Sequence, residues 1–173
     1  MKALITYFSQ TGNTEQIAKA IHHEVSGAHE ADLKTIEEVK PDALGGYDLV
    51  FVGSPIHGSG LAFPVKEFLE ALPEAAGFKL AGFVTHASFA YEKQGFEAGV
   101  QSFDEISAQK KIAFLGCFDC QGRLSPQLQP MVKEARGMSD DEWAERMATL
   151  DQHPDDDDEQ NAKAFATETV SKA

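Results

Sequence analysis

The six residues Ser9-Gln10-Thr11-Gly12-Asn13-Thr14 put three hydroxyl side chains beside a glycine where an apolar run gives way to a helical pattern. Hydroxyls donate hydrogen bonds without carrying charge, and the glycine lets a ligand come close to the backbone. The start of the following helix adds unpaired N–H groups and the positive end of its dipole. Together these suit a phosphate monoester. Neither of two better-known phosphate loops is present: no lysine precedes Thr14, as a P-loop requires, and Gly12 stands alone where a dinucleotide fingerprint needs three spaced glycines. An ordinary capped helix start draws on the same residue types.

Two further stretches follow apolar runs and carry polar or aromatic groups, Gly53-Ser54-Pro55-Ile56-His57-Gly58-Ser59-Gly60 and His86-Ala87-Ser88-Phe89-Ala90-Tyr91-Glu92. Cys117-Phe118-Asp119-Cys120 invites a redox or metal reading, but two thiols do not close a tetrahedral zinc site and no paired ligands follow at suitable spacing. The pair is expected to be buried and structural. His153-Pro154-Asp155-Asp156-Asp157-Asp158 matches a calcium loop only by its number of acids, and it reads better as a helix N-terminus. No metal site is expected, and no nucleophile or carboxylate-pair arrangement marks a catalytic residue.

The elements that must position these groups are legible from hydrophobic period. Five apolar runs, Ala3 to Phe8, Ala31 to Ile36, Tyr47 to Gly53, Leu80 to Thr85 and Lys111 to Phe118, are mostly continuous and not alternating. Strands covered on both faces look like this, which points to a parallel sheet between helices. Ile17, Ile21 and Val25 recur every four residues in one helix ending near Gly27. Val65, Phe68, Leu69 and Leu72 form a second stripe; residues 92–107 form a third and residues 155–171 a last. Pro41 keeps the connection between the second and third runs short or irregular. Strand and helix alternation implies an α/β, doubly wound, three-layer domain spanning 1–173. The stretch 121–153 is an insertion between the last strand and the last helix, expected to form short helices near 127–136 and 139–150.

The formal charge of −13 comes from 28 acidic and 15 basic residues. A surface of that sign repels nucleic acid and anionic lipid and attracts partners with basic docking surfaces. No apolar run reaches the ~18 residues of a membrane span. The chain runs from Met1 straight into a strand, and its two cysteines suit a reducing compartment, so a cytoplasmic location is expected.

The order of hydroxyls and glycine at 9–14 resembles the phosphate loop of flavodoxins, S/T-x-T-G-x-T directly after the first strand, with Ser9, Thr11, Gly12 and Thr14 in place. The resemblance implies flavin mononucleotide (FMN), its phosphate held by Ser9, Gln10, Thr11, Gly12, Asn13 and Thr14 with no basic residue. It also implies five parallel strands in the order 2-1-3-4-5, with the loops after strands one, three and four converging at their carboxyl ends. Pro55, Ile56, His57 and Gly58 then fall in one flavin-ring loop. His57 stands where a stacking residue sits, and Gly58 where a carbonyl meets flavin N5. Ala87, Ser88, Phe89 and Tyr91 fall in the other, with Tyr91 as outer stacking ring and Phe89 as its competitor. Glu92 would lower the potential by disfavouring an anionic reduced ring.

The function so implied is that of a low-potential electron carrier between redox proteins, monomeric or weakly dimeric, with an acidic rim around the exposed ring edge. The alternative is an FMN-dependent NAD(P)H oxidoreductase acting on quinones. Only Lys66 and Lys93 are basic near the ring loops in sequence, which favours the carrier.

Overall fold

The computed structural model describes all 173 residues except 90, 91 and 93. Strands β1 (Lys2–Tyr7), β2 (Glu30–Thr35), β3 (Leu49–His57), β5 (Lys79–His86) and β6 (Phe114–Gln121) form a parallel sheet in the spatial order β2-β1-β3-β5-β6. This is the expected 2-1-3-4-5 order of principal strands. A two-residue strand β4 (Gly60–Leu61) folds back antiparallel on the end of β3. Helices α1 (Asn13–Ser26) and α6 (Asp156–Lys172) cover one face, and α2 (Phe63–Glu70) and α3 (Gln94–Lys110) cover the other.

Adjacent residues on the central strands bury into opposite layers. Leu4, Val50, Val52 and Val84 join Val65, Leu69, Phe103 and Ile106 on the α2/α3 side. Ile5, Phe51 and Phe83 join Ile17, Ile21, Ala162 and Ala166 on the α1/α6 side. Both cores are apolar, which is why these strands read as unbroken hydrophobic strings. The connection containing Pro41 contains two 3-10 turns, Ile36–Glu38 and Pro41–Ala43, and no α-helix. The insertion forms α4 (Gln129–Arg136) and α5 (Asp140–Leu150), close to the short helices expected near 127–136 and 139–150. Asp155 caps α6 and exchanges a capping box with Asp158, so the acidic run does serve a helix N-terminus.

The last strand starts three residues later than its apolar run, at Phe114, and ends at Gln121. Lys111 adopts φ +57° in the turn that closes α3, and Ile112 is buried without belonging to the strand. An irregularity in the β5–β6 register, with Gly116 at φ +120°, resets the alternation of faces. Cys117 therefore packs with the α2/α3 core and Cys120 with the α1/α6 core. Lying on opposite faces of one strand, they do not bridge to each other. Burial pushes both thiols well above the ordinary cysteine range, which leaves little reactive thiolate.

Candidate functional site

The carboxyl ends of β1, β3 and β5 open on one side of the sheet, where the loops that follow them meet. Gly12 takes φ +85° and precedes α1 with no side chain capping the helix, so the first-turn N–H groups remain available to an anion. The three hydroxyls divide the labour. Ser9 Oγ accepts from the Gly12 N–H at 3.2 Å, and Thr11 Oγ1 accepts from Asn13 Nδ2 at 3.1 Å, which leaves the proton of each hydroxyl free to donate elsewhere. Thr14 is 1% exposed, and its hydroxyl pairs with that of Thr85 at 2.8 Å. It ties the loop to β5 from beneath.

Two adjoining cavities run across this surface. The smaller, about 70 Å³, is lined by Gln10, Thr11 and Asn13 from the first loop, Pro55, Ile56 and His57 from the second, and Thr85, His86 and Ala87 from the third. The larger, about 590 Å³, shares Gln10, Ile56, His57, His86 and Ala87 and adds Gly58 and Ser88. That volume lies within the ~300–1,000 Å³ of small-molecule pockets. The three loops the sequence singles out are thus brought together. Phe89 is half-buried outside the lining, its ring under a guanidinium described below. Tyr91 lies outside the described residues.

His57 and Gly60 pair across a two-residue hairpin loop, Gly58-Ser59. Gly58 sits at its first position with φ +64°, a conformation that such turns require and that side chains resist. The Gly-Ser dipeptide between extended residues was the available signal for this hairpin. His57 is largely exposed. Its ring meets Phe8 edge-on at 6.5 Å, and partial desolvation lowers its pKa from 6.5.

Several lining residues escaped the sequence reading. His86 is buried and stacks on Phe96, ring centroids 3.9 Å apart and 3° from parallel. Its Nδ1 accepts from the Ser88 N–H at 3.2 Å, so the neutral ring carries its proton on Nε2, which faces Asp119 Oδ2 at 3.4 Å. Gly95 of α3 lines the larger cavity, and the insertion supplies the rest. Gly122, Arg123, Leu124, Ser125 and Leu128 complete the smaller cavity, while Met131, Val132, Arg136 and Arg146 wall the larger. Leu128 is 42% exposed and Met131 60%, both at the cavity mouth.

The chain contains three arginines, all in the insertion, and all three line these cavities. The expectation of few basic residues near the ring loops, drawn from Lys66 and Lys93, missed all three. Glu92 does not stand as a bare negative charge. Arg146 donates to both its oxygens, at 3.3 and 2.9 Å, and also to the Ala87 carbonyl at 2.7 Å, and Arg136 reaches it from α4. The Arg146 guanidinium also lies 4.5 Å from the centroid of the Phe89 ring. Burial pushes the Glu92 carboxyl up, but hydrogen bonds from Arg146 and from the Phe89 N–H outweigh it, and its pKa falls from 4.5 to about 2. A depressed carboxyl contributes stability above its unfolded pKa and loses it on acidification. The shift corresponds to about 3 kcal/mol. We therefore expect that share of stability in urea unfolding at neutral pH to disappear as pH falls from 4.5 toward 2. A Glu92→Gln variant should show a flatter profile over that window.

This geometry has clear counterparts. A family model described as flavodoxin domain matches residues 4–167. The flavodoxin-like domain-containing protein BilS of Clostridioides difficile is 31% identical, with 100% of this chain and 98% of that one covered. Among solved structures, a flavodoxin of Bacillus cereus superposes with a TM-score of 0.70 at 22% identity over the full length of both chains. A Fusobacterium nucleatum flavodoxin mutant bound to flavin mononucleotide superposes with a TM-score of 0.63 at 14% identity, covering 99% of this chain and 96% of that one. With the family model spanning nearly the whole chain and the sheet order and loop set in agreement, this chain belongs to the flavodoxin family.

Proposed function

We propose that the chain binds FMN across the two cavities and serves in electron transfer. The observation that carries this is the continuity of the cleft. The smaller cavity takes Thr11 and Asn13 at the uncapped start of α1, with Ser9 in the same loop but outside the lining, while the larger, about 590 Å³, opens between the 56–58 and 86–88 loops. A phosphate fits the first and a flat ring system the second. FMN, once bound, supplies reversible one- and two-electron chemistry. Thr11 and Ser9 donate to the phosphate, Asn13 orients Thr11, and Thr14 holds the loop down. Ile56, His57 and Ala87 pack on the ring, and Gly58 lets the backbone of its turn approach it.

The electron-carrier reading follows from family membership. A second reading, an FMN-dependent NAD(P)H oxidoreductase, gains from the arginines of the insertion, which line the cleft where the sequence placed few basic residues, although Arg136 and Arg146 are also paired with Glu92. Purified protein supplied with FMN should stay yellow through gel filtration. Thr11→Val should weaken FMN binding roughly tenfold, one hydrogen bond to a charged group. Protein that stays colourless and gives no calorimetric heat with FMN would refute the assignment. Dithionite titration with accumulation of a half-reduced form and no response to NADPH marks a carrier, whereas rapid bleaching by NADPH marks a reductase.

A further inference from the structure

Arg123 enters the cleft from the end of β6, 110 residues away in sequence from the loop it touches. One side-chain bond and one backbone bond of its neighbours hold its position. Gln121 Nε2 donates to the Ser88 carbonyl and the Gly122 N–H to the His86 carbonyl, each at 2.9 Å, extending the β5–β6 pairing beyond the sheet. Gly122 then lies so close to Asn13 that a Cβ there would stand 2.8 Å from Asn13 Nδ2. The two loops grip each other through one side chain: Asn13 Nδ2 donates to the Arg123 carbonyl at 2.8 Å, and Arg123 Nε donates to Asn13 Oδ1 at 3.2 Å.

Those bonds occupy Nε and leave the terminal Nη1 and Nη2 of Arg123 without a partner among the described residues. Other arginines of the site are committed, since Arg136 and Arg146 both engage Glu92. Arg123 lines the smaller cavity together with Thr11 and Asn13, at the end of the cleft beside the open helix start. In a chain of charge −13 a dianion approaches against a repulsive field, which a fixed local cation offsets at short range.

We propose that Arg123 is a charged phosphate-binding residue, closing with its free guanidinium end a cradle that is otherwise built from neutral donors. The inference rests on the FMN reading above and goes beyond it, because the phosphate loop motif alone calls for no basic residue. Arginine suits this role because its planar fork presents paired donors to phosphate oxygens, and the Asn13 contact orients that fork before any ligand arrives.

Calorimetric titration of apoprotein with FMN and, separately, with riboflavin, which lacks the phosphate, tests the proposal. Wild type should prefer FMN. Arg123→Gln, which retains a polar side chain, should lose roughly ten- to a hundredfold in FMN affinity, the range of a charge-assisted contact. Its riboflavin affinity should be unchanged, and the salt dependence of FMN binding should flatten. Arg123→Lys should recover part of the loss, because it restores charge but not the fork. Equal weakening of both ligands would overturn the proposal by showing that Arg123 acts only as a prop for Asn13. Unaltered binding of both would overturn it by showing a solvated side chain. Wild type that binds neither ligand would overturn the mononucleotide assignment itself, and the role of Arg123 with it.

Discussion

Replacing Arg146 by methionine should destabilise the protein by about 3 kcal/mol and lower its Tm by roughly 10 °C. The side chain is 4% exposed and is the common partner of the Ala87 carbonyl, the Glu92 carboxylate and the Phe89 ring. Methionine fills most of the volume, so the loss is chiefly polar. It leaves Glu92, itself 17% exposed, short of one of its two cations. Breaking a buried pair costs about 3–5 kcal/mol, and the low end applies here because Arg136 still reaches Glu92. The double variant Glu92→Gln/Arg146→Met should lose clearly less than the sum of the singles, as expected for groups in direct contact. The Ala87 carbonyl lines both cavities through its residue, so the loosened loop should also weaken FMN binding. Urea unfolding reads the first effect and calorimetry the second. An Arg146→Met protein within about 0.5 kcal/mol of wild type, the range of an ordinary surface change, would show that the clasp does not form in solution.

Gly122→Ala should be nearly as damaging, by a different route. The added Cβ would lie 2.8 Å from Asn13 Nδ2, 2.9 Å from Cγ and 3.0 Å from Cβ. Asn13 is buried and bonded on two sides, to Thr11 and to Arg123, so its stem has no slack to move aside. Forcing atoms into such a contact costs about 1–3 kcal/mol. Relief comes by separating the β6 tail from the 9–14 loop, which misdirects both Thr11 and Arg123. A drop in FMN affinity of at least tenfold should follow, larger than the change in riboflavin affinity. An alanine variant with native stability and native FMN affinity would mean that the two loops do not press on each other in solution.

Much of the architecture was written locally. Apolar strings such as Leu49-Val50-Phe51-Val52, helical stripes such as Ile17-Ile21-Val25, and the capping acids at 155–158 act over a few residues, so period and turn chemistry place them. The error at the last strand has a local cause as well. Ile112 belongs to the core but not to the strand, and an apolar run does not distinguish the two.

The amino-acid sequence by itself marked out the strands, the helices and a hydroxyl-rich loop at residues 9–14, because each shows in the types and spacing of near neighbours. Tertiary structure decided what that loop meets. Thr14 meets Thr85 across 71 residues, Asn13 meets Arg123 across 110, and Arg146 meets Glu92 across 54. Side chains so distant share a site only once crossovers and strand register have set where the chain returns. An insertion that read as an unassigned pair of helices thereby brings all three arginines of an acidic protein to the cavities at the carboxyl ends of the strands.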